Sequence, residues 1–270
     1  MTGIENPGHI GVIGAGVMGE ALISALISAG VRPDAITVSE KRETRAQELI
    51  DIYGVRVEEL KKNVVASDVL LLVVKPQDME SLLSEIKDLV SPGMLIISFA
   101  AGKTIGFISA LLGSNIPIIR VMPNTPTLVG EGMAAISVGP AVSIKQSQFV
   151  RDFLSATGRV VEVDEGMQDA VTAVSGSGPA YFFYFVESMI RAGVELGLTE
   201  VIATELTIQT VVGAAKLLST SDKSPSTLRE NVTSPNGTTA AALAAFSQSD
   251  LPAIVLKAMT AARDRSQELA

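Results

Sequence analysis

The stretch HIGVIGAGVMGEAL at residues 9–22 decides the fold of the first part of the chain. Its first five residues form an apolar run that predicts a β-strand, and the residues after them have the composition of a helix. Between the two lies the motif Gly14-Ala15-Gly16-Val17-Met18-Gly19. A G-x-G-x-x-G motif alone is weak evidence, because glycine triplets also make ordinary tight turns. Placed between a strand and a helix, it predicts a dinucleotide-binding site.

Each glycine of the motif has its own expected role. Gly14 permits the tight turn, Gly16 allows the backbone to approach a pyrophosphate, and Gly19 lets helix and strand pack closely. Val17 and Met18 begin the helix, whose free N–H groups favour an anion. We therefore expect all five residues to bind the cofactor.

Strands and helices continue to alternate after this motif. Apolar runs predict further strands at 36–39, 69–74, 94–99, 116–121, 134–138 and 159–163. Amphipathic stretches predict helices at 17–28, 42–53, 79–90, 103–112 and 144–157. Such alternation indicates a parallel sheet flanked by helices, a Rossmann domain over residues 1–164.

The chain from residue 165 to 270 has the pattern of helices only. The predicted helices are 166–174, 180–197, 200–219, 226–232, 238–247 and 251–269. The helix at 180–197 is apolar nearly all round, so it must be buried in a bundle or against another subunit. The pattern favours an all-α domain that forms a homodimer, with a bundle core as the alternative.

Composition excludes several classes of function. The 270 residues carry a formal net charge of −8, which argues against a nucleic-acid partner. The chain has no cysteine, and its one histidine, His9, precedes the first strand and is expected to be a solvated terminal residue. Thiol nucleophiles, imidazole-bound metals and a Ser-His-Asp triad are therefore not expected, and we predict no metal.

The same composition bears on location. The N-terminus lacks the charged-then-apolar pattern of a signal peptide, and we expect no apolar run that approaches the length of a membrane span. These features predict a cytoplasmic protein that acts on a small-molecule substrate without a membrane partner.

The end of the second predicted strand bears on cofactor choice. Its sequence is Ser39-Glu40-Lys41-Arg42. Glu40 has the spacing of the acid that binds the adenosine ribose hydroxyls, which favours NAD. Lys41 and Arg42 are suited to a 2′-phosphate and favour NADP. Both cofactors remain open, with a slight preference for NADPH.

Three further segments follow strand ends, where a parallel sheet presents its ligand crevice. They are Val74-Lys75-Pro76, Ala100-Ala101-Gly102 and the segment that begins at Asn124. The small residues of the second segment would let a nicotinamide ring lie close. Together the three segments predict a wall on the nicotinamide side of the cofactor.

A polar segment, NVTSPNGTTAAALAAF at 231–246, interrupts the helical part. Turn residues followed by helix formers predict a helix that starts at Thr238 or Thr239. A threonine there can cap the helix, and the helix start can also bind an anion. The two roles are compatible.

These motifs resemble the pyrroline-5-carboxylate reductase family. GAGVMGEA, VVKPQ at 73–77, MPNTP at 122–126, AVSGSGPAY at 173–181 and NVTSPNGTTAAAL at 231–243 occur in the family's order. The resemblance implies reduction of a cyclic imine to L-proline by NAD(P)H, the last step of proline biosynthesis. It also implies a helical dimerisation domain like that of 6-phosphogluconate dehydrogenase, and dimers that can form larger rings.

The resemblance also implies site residues. Backbone N–H groups of Asn236, Gly237 and Thr238 would bind the substrate carboxylate, and the Thr239 hydroxyl would bond the ring nitrogen as the catalytic group. The implied substrate-binding residues are Val232, Ser234, Asn236, Gly237, Thr238 and Thr239. The segment SGSGP at 175–179, a helix break at the domain junction, would lie near the nicotinamide.

Two other functions are weighed against this one. A β-hydroxyacid dehydrogenase needs a lysine early in its second domain, and no lysine occurs between Lys145 and Lys216. A non-catalytic nicotinamide-dinucleotide sensor would keep the glycine motif but would not need the polar segment at 231–239.

Overall fold

A computed structural model of the chain describes residues 7–269. The chain folds into two compact units. The part up to Ser177, together with the residues from Ala262 onward, forms the first unit, and Gly178–Ala261 forms the second. The predicted division at residue 164 assigns residues 165–177 and 262–269 differently, since these segments make most of their contacts within the first unit.

Eight strands form one sheet in the first unit. They are β1 Ile10–Ile13, β2 Ile36–Ser39, β3 Arg56–Val57, β4 Val69–Leu72, β5 Leu95–Ser98, β6 Ile118–Met122, β7 Gly132–Val138 and β8 Gly158–Glu162. Their order is β3-β2-β1-β4-β5-β6-β7-β8. All neighbours pair in parallel except β6 and β7, which are antiparallel. The direction reverses there because the short segment 123–131 joins them, and a parallel crossover needs a longer connection.

Helices cover both faces of this sheet. They are α1 Val17–Ser28, α2 Glu43–Tyr53, α3 Leu60–Ala66, α4 Met79–Ile86, α5 Ile105–Leu112 and α6 Ile144–Ser155. Strand β4 shows why its sequence is apolar throughout. Leu71 belongs to the core on one face, and Leu70 and Leu72 belong to the core on the other. The sequence analysis missed β3 and α3, which are short.

The rest of the described chain is helical. The helices are α7 Gln168–Val171, α8 Gly178–Glu195, α9 Glu200–Thr220, α10 Pro225–Asn231, α11 Thr238–Gln248 and α12 Leu251–Glu268. The predicted break at SGSGP lies at Ser177, which separates α8 from the helical turns before it. Thr172–Gly176 forms a π-helical turn, and the Ser177 N–H donates to the Thr172 carbonyl at 2.8 Å. Gly176 ends this turn, and Gly178 and Pro179 are the first residues of α8.

Helix α8 carries aromatic side chains that a single chain leaves uncovered. Phe182, Phe183 and Tyr184 are 66%, 63% and 68% exposed. Phe185 lies against Phe246 of α11, with ring centroids 6.3 Å apart. A bundle core within one chain therefore does not account for the apolar surface of α8.

Among the described residues, one helix is long and apolar enough to span a membrane by length and composition. It is α9, with 21 residues and a mean hydropathy of 1.4. Helices α11 and α12 meet the same criterion only as a pair, bent by 54°. The expectation of no membrane partner stays a prediction.

Candidate functional site

The glycine motif forms a tight turn between β1 and α1. Gly14 has φ +89°, and its N–H donates to the Ser39 carbonyl at 3.1 Å. A β-carbon on Gly14 would lie 2.6 Å from the Val73 carbonyl oxygen. Backbone from β1, the end of β2 and the segment after β4 therefore meets at this residue, and a side chain does not fit.

The other two glycines of the motif differ from each other. A β-carbon on Gly19 would collide with the carbonyl oxygen of Gly14, whereas one on Gly16 would meet nothing within 4 Å. Gly19 is thus required for the packing of α1. Gly16 is the N-cap of α1 without a side-chain cap, and the space beside it is open to a ligand. This geometry is that of a pyrophosphate site at a helix start.

Glu40 lies directly beside the glycine turn. Its Oε2 accepts the Ala15 N–H at 3.3 Å and Arg42 Nη2 at 3.3 Å, and its Oε1 accepts the Arg42 N–H and Nε, both at 3.0 Å. The hydrogen bonds from Arg42 lower the pKa of Glu40 to about 2. Glu40 is therefore ionised at neutral pH, and its four lone-pair positions all have donors.

A second arginine anchors the same turn. Arg45 Nε donates to the Ala15 carbonyl at 3.1 Å, and its guanidinium pairs with Glu20 of α1 and with Glu48. Tyr53 donates to Glu20 at 3.0 Å. Sequence reasoning did not identify this cluster, which holds the backbone of the turn from the side of α2.

A cleft of about 690 Å³ opens beside the turn. Predicted residues in its wall include Gly14, Gly16, Ser39, Glu40, Lys41, Val74 and Lys75. Further wall residues that the sequence analysis did not predict are Glu58, Glu59, Leu60, Asp78, Ser81, Leu82 and Glu85. Glu58 and Glu59 immediately precede α3, and Leu60 is its first residue, so the missed helix accounts for part of the missed wall. The other unpredicted wall residues lie in α4 and the turn before it. Pro76 begins a 3-10 turn directly after Lys75.

The predicted residues after β5 and β6 do not line this cleft. Gly102 has φ +76°, and a β-carbon on it would lie 2.8 Å from both the Ser266 carbonyl oxygen and Leu269 Cβ. Ala100 is buried, and Ala101 is partly exposed. Asn124 is 9% exposed; its amide donates to the Ser175 carbonyl at 3.2 Å and accepts the Met133 N–H at 2.8 Å.

The polar segment at 231–246 folds as a loop and a helix start. Helix α11 begins at Thr238, as predicted, and its N-cap is Gly237, which makes no side-chain cap bond. The expected threonine cap is therefore wrong: Thr239 is the second residue of the helix. Asn236 has φ 56°, and the Gly237 N–H donates to the Ser234 carbonyl at 3.0 Å.

The one histidine lies in a structural position. His9 Nε2 hydrogen-bonds Thr37 Oγ1 at 2.7 Å, and its backbone N–H donates to Asp68 at 2.7 Å. Burial lowers the pKa of His9, and the positive charge of Arg56 adds to that shift. The expectation of a solvated terminal residue is thus corrected, because His9 joins β2 to the start of β1 and is largely neutral at pH 7.

Comparisons with known proteins cover both units. A family model described as "Pyrroline-5-carboxylate reductase dimerisation" matches residues 165–269, and one described as "NADP oxidoreductase coenzyme F420-dependent" matches residues 9–102. Pyrroline-5-carboxylate reductase of Corynebacterium melassecola is 42% identical, over 96% of this chain and 98% of its own. The chain belongs to the pyrroline-5-carboxylate reductase family.

Solved structures of family members have the same fold. A pyrroline-5-carboxylate reductase from Coxiella burnetii is similar with a TM-score of 0.90 and 35% identity, over 98% of this chain and 99% of its own. The Plasmodium falciparum enzyme, solved with NADP bound, has a TM-score of 0.88 and 31% identity, over 99% of each chain. The predicted N-terminal Rossmann domain and helical C-terminal domain are confirmed, as is the family resemblance.

A matched pair of glycine variants tests the two roles at the turn. We expect Gly19→Ala to lower the free energy of unfolding by roughly 1–3 kcal/mol, because α1 must move away from Gly14. Gly16→Ala should leave stability near wild type and weaken dinucleotide binding at least tenfold, since its methyl group enters the open space. Urea unfolding and calorimetric titration with NADPH measure the two effects; equal stability losses would contradict the assignment.

Proposed function

We propose that the chain reduces 1-pyrroline-5-carboxylate to L-proline with a hydride from NAD(P)H, the last step of proline biosynthesis. The observation that carries the proposal is the glycine turn with its open Gly16, in a chain of this family along nearly its whole length. The turn supplies a binding site for the hydride donor. The family supplies the identity of the acceptor.

The reaction needs few protein groups. When bound, NAD(P)H would supply a hydride to the C=N carbon and would be oxidised to NAD(P)+. The π electron pair of the protonated C=N bond would then remain on nitrogen, whose proton becomes the N–H of proline. Because the protonated imine is already a strong electrophile, orientation and charge stabilisation supply most of the catalysis. His9 is engaged with Thr37 and is not required.

We propose that the start of α11 binds the substrate. The first N–H groups of a helix have no carbonyl partner within it, so those of Thr238 and Thr239 are suited to the substrate carboxylate. The Gly237 N–H is already used by Ser234, and that bond shapes the loop. A side chain at Gly237 would collide with Ser234 Oγ. Val232 and Asn236 complete the exposed rim of the loop.

Thr239 is the proposed catalytic group of this site. The N-cap position belongs to Gly237 and Thr239 is the second residue of α11, so its hydroxyl is not the cap and is available to orient the ring nitrogen. A hydroxyl is a weak acid near neutral pH. Thr239 is therefore better suited to relay a proton to the ring nitrogen than to be its source.

We also propose a homodimer through the helical domain. The exposed aromatic side chains of α8 support it, because a monomer rarely leaves such a surface in water. The family model for dimerisation starts at residue 165, which supports 165–270 as the functional domain. Further assembly into a ring of dimers, and a cytoplasmic location, are part of the same proposal.

The cleft is proposed to take either cofactor, with a weak preference for NADPH. Arg42 is exposed, and its guanidinium can turn from Glu40 to a 2′-phosphate. Glu40 then keeps two backbone donors, the N–H groups of Ala15 and Arg42. Glu58 and Glu59 in the cleft wall repel a phosphate, which keeps the preference weak. NADH instead places its ribose hydroxyls on Glu40 after Arg42 leaves.

Turnover is the direct test of the proposed function. Purified protein should oxidise NADPH and NADH when given pyrroline-5-carboxylate, which the absorbance at the reduced nicotinamide band follows. A nicotinamide sensor would bind the cofactor without turnover. A β-hydroxyacid dehydrogenase would act on a hydroxy acid instead. Absence of turnover with both cofactors would refute the reductase function.

Cofactor choice is tested by Arg42→Ala. We expect kcat/KM for NADPH to fall roughly tenfold, because a hydrogen bond between charged groups contributes about 1.5–3 kcal/mol and the exposure of Arg42 places it at the low end. The value for NADH should hold or rise, since Glu40 becomes free for the ribose. Arg32→Ala is the matched control, an exposed arginine paired with Asp34 at 3.3 Å. A parallel fall with both cofactors would show that Arg42 does not discriminate between them.

Thr239→Ala separates catalysis from helix capping. We expect kcat to fall at least a hundredfold, with dinucleotide affinity and melting temperature unchanged. The contrasting variant is Thr199→Ala, since Thr199 is the N-cap of α9 and accepts the Ile202 N–H. It should lose up to about 1 kcal/mol of stability and keep full activity per folded molecule. If Thr239→Ala behaved like Thr199→Ala, the hydroxyl would be structural only.

A further inference from the structure

The end of the C-terminal helix packs in the first unit. We name residues 262–269 the C-terminal clasp; Ala262 onward belongs to the first unit, whereas the earlier part of α12 belongs to the second. Ser266 is 2% exposed, and its hydroxyl donates to Asp169 Oδ1 at 2.7 Å. A buried serine with a charged acceptor, far away in sequence, is an ordered contact and not a frayed helix end.

A buried arginine organises the other side of this contact. Arg120 of β6 is 3% exposed, with Nη2 3.8 Å from Asp169 Oδ1 and Nη1 3.5 Å from Glu165 Oε1. Glu165 Oε1 also accepts the Ile105 N–H, at the start of α5, at 2.6 Å. The two carboxylates therefore tie the guanidinium to the clasp on one side and to α5 on the other. A buried arginine needs such partners, since an unpaired charge in the interior is costly.

The segment between β5 and α5 lies between these two attachments. Its Gly102 approaches the clasp so closely that a β-carbon would lie 2.8 Å from the Ser266 carbonyl oxygen and from Leu269 Cβ. At its far end, Thr104 caps α5 by accepting the Phe107 N–H at 3.0 Å. Residues 100–104 are thus held by the strand before them, by α5 after them and by the clasp alongside.

We propose that the C-terminal clasp positions residues 100–104 for the nicotinamide half of the cofactor, with Ser266 and Asp169 as positioning residues. This inference rests on the proposed function and on the sequence-based prediction that Ala100–Gly102 lie beside the nicotinamide, outside the cleft at the glycine turn. Hydride transfer requires a donor and an acceptor held near 3–3.5 Å, and a misplacement of about 1 Å costs far more than its contact energy. Small residues can position the nicotinamide ring only when their own backbone is held in place on the side away from the ring.

The test compares two ligands that differ in the nicotinamide. Ser266→Ala removes the hydroxyl donor without adding bulk. We expect the Kd for NADPH to rise roughly fivefold, the size of one lost hydrogen bond, while the Kd for 2′-phospho-ADP-ribose stays at the wild-type value. The latter ligand keeps the adenosine 2′-phosphate and the pyrophosphate but has no nicotinamide. Isothermal titration of the full-length protein measures both constants.

Two further variants fix the interpretation. Ser219→Ala is the matched control, because Ser219 also lies in the last turn of a helix but donates only to the Lys216 carbonyl. It should change neither constant. The double variant Asp169→Asn/Ser266→Ala should weaken NADPH binding by less than the product of the two single effects, since both residues take part in one contact. Asp169→Asn alone also removes the charge beside Arg120.

The outcomes separate this inference from the proposed function. Titration does not depend on turnover. If the wild-type protein bound NADPH but did not reduce pyrroline-5-carboxylate, the reductase function would be refuted, and the titrations would still test the role of the C-terminal clasp. Equal weakening of both ligands by Ser266→Ala would overturn the positioning role. An unchanged Kd for NADPH would overturn it too.

Discussion

The close approach of backbone at Gly14 is the constraint on which the cofactor site depends. Its N–H reaches the end of β2 while its α-carbon lies against the backbone after β4, so three neighbouring segments of the sheet meet at one residue without a side chain. That meeting directs α1 away from the sheet edge with its first N–H groups free. Because Gly19 has no side chain, α1 packs against the turn at Gly14. The open space beside Gly16 is available to a ligand.

Charged side chains stabilise the two sides of the ligand-binding edge in different ways. Around the glycine turn, the half-buried Glu40 and Arg45 hold the N–H and the carbonyl of Ala15, and Glu40 pairs with the exposed Arg42. Near the end of β5, the paired group is the buried Arg120, with Glu165 and Asp169. A pair whose arginine is exposed contributes less to stability than a buried one and can be used for selectivity. A buried one is fixed, because removing one partner leaves an uncompensated charge.

In the helical unit, the polar segment leaves the N–H groups at the start of α11 available to a ligand. The Gly237 N-cap leaves the first turn of α11 without a side-chain cap, and the bond from Gly237 to Ser234 sets the loop in place of one. A protein that only needed a stable helix would gain from a serine or an aspartate at that position. The uncapped start of α11 is suited to a ligand. The exposed aromatic face of α8 is suited to a second subunit.

The sequence by itself determined the family, the order of the longer strands and helices up to residue 163, and the residues of the glycine turn. Those features depend on local patterns: an apolar run followed by G-x-G-x-x-G, and turn residues followed by helix formers. Tertiary structure decided the rest. Strand β7 runs antiparallel to β6, and α3 with the carboxylates before it lines the cleft. Every acceptor position of Glu40 has a donor, and residues 262–269 lie against Gly102. Each of these depends on which distant segments meet in space, and a pattern of neighbouring residues along the chain does not contain that information.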